Sequence, residues 1–461
     1  MSRNQSRAKS PKEPGERTIT FRAFLRNTIL DVLLGRGWFE VGEDNDNWDI
    51  IWADVNWVHH CNFSYLREHQ RVNHFPNHYE FTRKDLLNKT LRKYKRHLER
   101  TVGSAEAASR LDFVPLTYVV PQDYGLFREE FKKRPGQLWI AKPLGAAQGR
   151  GIFLVSKLSQ LADWKVDNRF SDGGRVFDFD ADAEREKDKT YLIQSYLSNP
   201  LLVGGKKFDL RIYVLVTSFL PLTVWLYRTG FGRFSFSRFS MDQSDVENTY
   251  IHLTNVAIQK TSSDYDPTQG CKWDLKQFKL YIISKYGLDR ANALFMRIQH
   301  IIITVLLAAQ QVLIADRHCF ELYGFDVLID DTLKPWLLEV NASPSLTADT
   351  ASDYHMKYVL LNDMLDVVDI ERKRTAVPTI PHVHNAQYSP ANTVGGFDLI
   401  YQGNGPVAGP FPSTCPSLLG TSFNTNRFPH ALPERLKRYD AEKKKHDKKR
   451  LDEDDARFQD K

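Results

Sequence analysis

The segment Pro335–Leu346 reads PWLLEVNASPSL and sets Glu339 and Asn341 inside an apolar run with the length of a buried β-strand. Side chains two apart on a strand share a face, so a carboxylate and an amide oxygen emerge together beside a turn-forming Ala-Ser-Pro-Ser. Upstream, Asp326 ends the run ELYGFD, and a hairpin turning near Asp331 and Thr332 would bring it close to Glu339. Two carboxylates and an amide oxygen form a hard, oxygen-only set suited to Mg2+, which completes its shell with waters and phosphate oxygens. The competing reading is carboxylates satisfied by a nearby arginine or by backbone amides. Something must compensate them, because a buried charge costs on the order of several kcal/mol when left alone.

A metal of this kind calls for a phosphate cradle. WIAKPLGAAQGRGIFLV places Lys142 at a strand end, then a loop with Gly145, Gly149 and Gly151, then another strand. The glycines permit close backbone approach to phosphate and the lysine adds a point charge; an ordinary tight turn is the plainer explanation for such a loop alone. GxxxxGK[ST] is absent, as are an HRD loop and a DFG triplet, which argues against P-loop NTPases and protein kinases. GGKKFDLRIYVLV alternates Lys207, Asp209 and Arg211 onto one strand face. An arginine in an apolar strand must pair with an anion, either the neighbouring Asp209 or a phosphoryl group. Arg233 in GFGRF, Thr254 and Asn255 in HLTN, and Lys272 in GCKW are further polar groups among aromatics, which spacing alone does not rank.

An alternation of strands and helices must position these groups. The pattern predicts a helix over 21–33, a strand at GWFEV, and a strand and then a helix in WDIIWADVNWV. A loop at 103–108 precedes a strand in FVPLTYVVP and a helix in LFREEFKKRP. Strands follow at 138–142 and 151–155, then a mobile loop over 168–189 and a strand in TYLIQSYL. Two long strands turn at Leu220-Pro221, and helices in WDLKQFKLYIISKYG and ANALFMRIQHIIITVLLAAQQVL lead to the closing hairpin. Residues 83–100, RKDLLNKTLRKYKRHLER, hold eight basic and two acidic residues, with Leu87, Leu91, Tyr94 and Leu98 at helical spacing. That is a helix with one buried stripe and a basic face, either simply solvated or a docking surface for nucleic acid or an acidic protein tail.

The chain of 461 residues has room for two or three folded units, and 42% hydrophobic with 26% charged residues is a globular composition. A net charge of +6 is too mild to name a partner. Cys61, Cys271, Cys319 and Cys415 lie far apart without a CxxC, which speaks for a reducing compartment and against a disulfide framework or zinc site. No secretory signal is read in MSRNQSRAKSPKEPGERTIT. No membrane span is expected: residues 210–226 contain Arg211, Ser218 and Pro221, and residues 301–314 are too few. Residues 1–17 are expected to be disordered. Nine of the 21 prolines fall between Pro378 and Pro433, and a charge run follows, so 372–461 reads as a Pro-rich then charged, mostly disordered tail.

Taken in order, WIAKP…QGRGI, GGKKFDLR, GFGRFS, YIHLTNVAIQK, GCKW, CFELYGFDVLID and PWLLEVNASPSL resemble the tubulin tyrosine ligase-like family, in its polyglutamylase branch and closest to the ciliary members. VNHFPNHYEFTRKD extends the likeness, which covers about residues 17–371. The resemblance implies an α/β (α+β), ATP-grasp-like fold of three subdomains, about 18–80, 81–190 and 191–371, with ATP between two antiparallel sheets. It implies a ligase that phosphorylates an acceptor carboxylate with ATP and lets the amine of free L-glutamate attack the acyl phosphate. The acceptors would be side-chain glutamates of acidic tubulin tails.

Carried onto this chain, the resemblance puts Lys142 on the ATP phosphates, with Gln148 and Gly149 in the loop above. Gln194, Ser195, Tyr196 and Leu197 would meet adenine. Lys207, Phe208 and Asp209 would sit at the nucleotide, and Thr254 and Asn255 near its phosphates. Asp326, Glu339 and Asn341 would hold two Mg2+ ions. Arg211, with Asp209 and Glu339, would serve phosphoryl transfer, while Arg233 and Lys272 grip the two carboxylates of glutamate. His252 would orient the acceptor. Gln148 would also face the acceptor protein, where a neutral glutamine suits elongation of an existing branch. A tubulin glycine ligase and a largely non-catalytic microtubule-binding subunit are the alternatives. The partners implied are tubulin or microtubules, with further complex subunits left open, and neither nucleic acid nor membrane. The location implied is the cytoplasmic cytoskeleton, in the axoneme or basal body of a cilium or flagellum.

Overall fold

The computed structural model describes residues 18–144, 149–161, 190–242, 244–246, 248–261, 272–348, 350–373 and 393–403. Their contacts group them into two compact units: residues 18–73 with 346–373, and residues 74–345 with 393–403.

In the first unit, β1 (Thr20–Ala23), β2 (Phe39–Glu40), β3 (Ile50–Trp52) and β4 (Arg71–Val72) form a parallel sheet in the order β2-β1-β3-β4. The helix expected over 21–33 is displaced. Phe21 and Ala23 are strand residues buried on one face, and α1 (Thr28–Gly35) starts only where the Asn27 side chain accepts the Ile29 amide at 3.2 Å. Helix α2 (Val55–His60) is capped in the same way by Asp54. A later helix, α11 (Ala351–Val368), belongs to this unit. Arg36 fixes it, donating to Asn362 at 2.8 Å, Asp366 at 3.0 Å and Glu371 at 2.6 Å.

The second unit opens with α3 (Tyr79–Thr82) and the basic helix α4 (Lys84–Thr101), which buries Leu87, Leu91, Tyr94 and Leu98 as the spacing predicts. Residues 103–108 are not a loop: α5 (Ser104–Arg110) forms there, with an i,i+4 pair between Glu106 and Arg110 at 2.8 Å. Strands β5 (Thr117–Val120), β6 (Trp139–Pro143), β7 (Phe153–Val155) and β8 (Tyr191–Ser195) make an antiparallel sheet in the order β5-β8-β6-β7. Helix α6 (Tyr124–Lys133) covers it around Phe127 and Trp139.

A larger antiparallel sheet runs β14-β13-β10-β11-β16-β15. It is built from β10 (Lys206–Phe219), β11 (Leu222–Phe234), β13 (Glu321–Ile329), β14 (Pro335–Asn341), β15 (Thr393–Val394) and β16 (Phe397–Gly403). Short β9 (Leu202–Val203) pairs with β10, and β12 (Lys272–Asp274) with β11. Helices α7 (Thr249–His252), α8 (Val256–Gln259), α9 (Leu275–Tyr286) and α10 (Leu288–Gln310) complete the unit. Helix α10 is long and apolar enough to cross a membrane, but its apolar residues are buried within the unit, as in a core helix.

Strand β16 lies in the segment read as tail. It buries Phe397 and Ile400, and Asp398 takes both Nε and Nη2 of Arg228. These contacts cover part of the β11 edge, which would otherwise expose unpaired backbone groups. Residues 1–17, 374–392 and 404–461 and the expected loop at 168–189 lie outside the described residues.

Candidate active site

Two rows of side chains cross the larger sheet. In one, Glu339 on β14 pairs in register with Asp326 on β13, which pairs with Arg211 on β10. In the next, Asp209 on β10 pairs with Arg233 on β11, which pairs with Lys272 on β12. The hairpin turn behind the first row forms where predicted, and Asp330 builds it by accepting the amides of Thr332 and Lys334, both at 2.9 Å.

Arg211 donates to both oxygens of Asp326, at 2.5 and 3.0 Å. Its partner is therefore Asp326 and not Asp209, the neighbour that the sequence offers. Arg233 grips both oxygens of Asp209 at 2.6 and 2.7 Å and reaches Asp326 at 2.7 Å, while the Thr254 hydroxyl donates to Asp209 at 2.7 Å. Burial would raise the Asp326 carboxyl, but the two guanidinium groups outweigh it and hold it well below the usual carboxylate range. Gly324 makes room for this arrangement: a Cβ there would meet the Arg211 side chain at 3.0 Å.

Asn341 stands 3.3 Å from Glu339 and 3.4 Å from Asp326, measured from its amide nitrogen. A half-turn of the amide offers its oxygen from the same place. The three oxygen-bearing side chains thus converge; Asp326 is buried, while Glu339, with 22% side-chain exposure, and Asn341 are partly open to solvent. The donor set is hard and suits Mg2+. Arginine compensation, the competing reading of the carboxylates, holds for Asp326 without removing the set.

The smaller sheet faces these rows across a cleft. At the end of β6, Lys142 donates to the Gln194 side chain at 2.8 Å, whose amide donates to Thr117 at 3.0 Å. Burial lowers the Lys142 ammonium to about 8, opposed by Glu339. Burial lowers Lys207 further, to about 7, opposed by Asp209. Gly149 has φ +82, and a Cβ on it would lie 2.5 Å from Ile258 and 3.0 Å from Asn255, so only glycine lets this backbone close on the Asn255 segment. Along the cleft Lys84, Lys142, Arg150, Lys207 and Arg233 outnumber Asp209, Asp326 and Glu339, and that surplus suits a polyanion.

Of the residues singled out from sequence, Lys142, Gly149, Gln194, Ser195, Tyr196, Leu197, Lys207, Asp209, Arg233, Thr254, Asn255, Asp326, Glu339 and Asn341 line this one cleft. Arg211 lies directly behind Asp326, and Lys272 stands beside Arg233 with its ammonium 4.8 Å from the Phe231 ring centre. Gln148 lies outside the described residues. One expectation changes. Phe208 points into the core, packing on Phe234 and Phe278, because strand alternation sends it away from the face of Lys207 and Asp209. His252 also lines the cleft, only 3% exposed, with Nδ1 2.8 Å from the Tyr196 hydroxyl.

Lys84 was missed. It was counted into the basic face of α4, yet its Nζ lies 2.9 Å from Glu339 Oε2 and it lines the cleft. Its one sequence signal is its place at the helix start, in TRKD. The preceding VNHFPNHYEF stretch anchors β13: His74 lies 2.7 Å from Glu321, whose other oxygen accepts the Phe75 amide at 3.0 Å and the Tyr323 hydroxyl at 2.9 Å.

A profile described as the tubulin-tyrosine ligase family matches residues 63–376, a span that includes every cleft residue from Lys84 to Asn341. The chain belongs to the tubulin-tyrosine ligase family. It is 45% identical over 437 residues to a rat protein named "Probable tubulin polyglutamylase TTLL9", covering 88% of this chain and 90% of that one. It is 42% identical to the Caenorhabditis elegans "Probable tubulin polyglutamylase ttll-9", covering 88% and 90%. It is 41% identical to the Tetrahymena thermophila "Probable alpha-tubulin polyglutamylase Ttll1", covering 82% and 91%. Among tubulin-tyrosine ligase relatives the chain thus falls in the polyglutamylase branch, as its motifs imply.

Proposed function

We propose that this protein is an ATP- and Mg2+-dependent ligase that adds glutamate to side-chain glutamates of tubulin tails. The observation that carries the reading is the convergence of Asp326, Glu339 and Asn341 opposite Lys142, inside a cleft with surplus positive charge. The names of its relatives support glutamate as the added group and tubulin as the acceptor.

When bound, Mg2+ on the nucleotide would neutralise phosphoryl oxygens. Asp326, Glu339 and Asn341 would hold two such ions, and Lys142 and Lys207 would hold the phosphate chain and adjoining nucleotide. An acceptor carboxylate oxygen would attack the terminal phosphorus, the bond to ADP would break, and Arg211 would stabilise the phosphoryl oxygens from behind Asp326. The amine of glutamate would then attack the acyl carbon and expel inorganic phosphate, leaving an isopeptide bond. Arg233 and Lys272, adjacent in register, suit the two carboxylates of glutamate, which favours glutamate over glycine. A cytoskeletal, ciliary location is proposed on the family likeness alone.

Purified protein incubated with ATP, Mg2+, microtubules and labelled glutamate tests the reading. It predicts ATP-dependent incorporation lost in Glu339→Gln. Tight microtubule binding without incorporation would favour the non-catalytic subunit instead.

A further inference from the structure

Three buried side chains that line the cleft make a chain of contacts, of which the reaction steps above use only the Lys207 ammonium. Lys207 Nζ donates to the Tyr196 hydroxyl at 3.1 Å and to the His252 carbonyl at 2.9 Å. The Tyr196 hydroxyl lies 2.8 Å from His252 Nδ1, and His252 Nε2 lies 2.9 Å from the Asp245 carbonyl. Tyr196, Lys207 and His252 are exposed by only 5%, 6% and 3%.

Chemistry fixes the direction of every proton. The Asp245 carbonyl can only accept, so Nε2 carries the imidazole proton and Nδ1 of the neutral ring accepts. The hydroxyl of Tyr196 has one proton, which goes to Nδ1. Its oxygen is then left to accept from Lys207. The donors run one way, Lys207 to Tyr196 to His252 to the Asp245 carbonyl, and such chains strengthen one another in a low dielectric. Two of the three ammonium donors are thereby held by the protein, and the third is left for a ligand of the cleft that Lys207 lines. The Tyr196 ring lies 4.5 Å from the ammonium and adds a second restraint. Burial, aided by Lys207 and opposed by the Asp245 carbonyl, lowers the pKa of His252 and favours the neutral ring.

We infer that His252 is a positioning residue for nucleotide binding, acting through the Tyr196 hydroxyl to aim the Lys207 ammonium into the cleft. The inference rests on the reading of this cleft as a nucleotide site. It gives the histidine of YIHLTN a task on the nucleotide side of the cleft.

The test measures equilibrium affinity for a non-hydrolysable ATP analogue with Mg2+, alongside KM for ATP and for glutamate. Expected are losses of about tenfold in analogue affinity for both His252→Leu and Tyr196→Phe, the scale of one charged hydrogen bond. The double variant should lose no more than either single one, because the chain is already broken. His252→Asn, whose side-chain oxygen can replace Nδ1 as acceptor, should recover most of the affinity. The loss should fall on KM for ATP and leave KM for glutamate within about twofold. Additive losses in the double variant, or unaltered affinity in Tyr196→Phe while Lys207→Met is weakened, would overturn the inference. An unaltered Lys207→Met would instead remove Lys207 from the nucleotide site, and the inference with it.

Discussion

Lys84 reaches Glu339 at 2.9 Å, so the first residue of the basic helix α4 touches the strand that carries the proposed metal ligands. Both side chains are about a quarter exposed, and an ion pair of that kind contributes about 1 kcal/mol or less to stability. Its value is positional. Lys84→Met should leave the melting temperature nearly unchanged while raising KM for ATP at least several-fold, and Lys84→Arg should recover part of the loss. Steady-state kinetics beside a thermal melt separates these effects, and a large fall in melting temperature would contradict them.

Asp326 and Glu339 are register partners with opposite surroundings. Asp326 is buried between two arginines, whereas Glu339 is partly solvated. Asp326→Asn leaves Arg211 and Arg233 poorly compensated and should cost about 3–5 kcal/mol of stability along with activity. Glu339→Gln should abolish activity at a cost of about 1 kcal/mol or less. Chemical denaturation of the two variants checks the contrast; equal stability losses would contradict it.

The hairpin and the alternation of Lys207, Asp209 and Arg211 were legible because strand period and turn chemistry are local. Arginine pairing was not. Residues two apart on one strand sit about 7 Å apart, while register partners on neighbouring strands approach to about 5 Å. Arg211 therefore takes Asp326 across the ladder and leaves Asp209 to Arg233. Lys84 was not legible for a related reason, since it takes its role from a partner on another element. Strand β16 was hidden because its seven residues sit in a Pro-rich context, and its partners β11 and β15 are set by the fold.

Nucleotide affinity should depend on pH. Lys142 and Lys207 titrate near 8 and 7 in the folded protein, against 10.5 ordinarily. An anion needs both protonated, so binding above pH 7 must be accompanied by proton uptake. Affinity for the ATP analogue should fall between pH 7 and 9, approaching tenfold per unit once a lysine is mostly neutral. Without nucleotide the sign reverses. The unfolded chain holds more protons between about pH 7 and 10.5, so these two lysines raise folding stability as pH rises through that window. Calorimetry in buffers of different ionisation enthalpy reads the uptake, and its absence at pH 8 would contradict these values.

The exposed face of α4 carries Lys93, Arg96 and Arg100. As a docking surface for acidic tails it should give a salt-sensitive affinity. Lys93→Glu with Arg96→Glu should weaken microtubule co-sedimentation by about tenfold at low salt and much less at high salt, with ATP-analogue binding unaffected. Unaltered co-sedimentation would leave that face merely solvated.

The most direct measurement follows an oxygen atom. A tubulin-tail peptide with 18O in its glutamate side-chain carboxylates is incubated with the protein, ATP, Mg2+ and glutamate, and the released phosphate is weighed by mass spectrometry. Activation of the acceptor as an acyl phosphate predicts one 18O in each phosphate released with an isopeptide bond. Amide formation with unlabelled phosphate would contradict it.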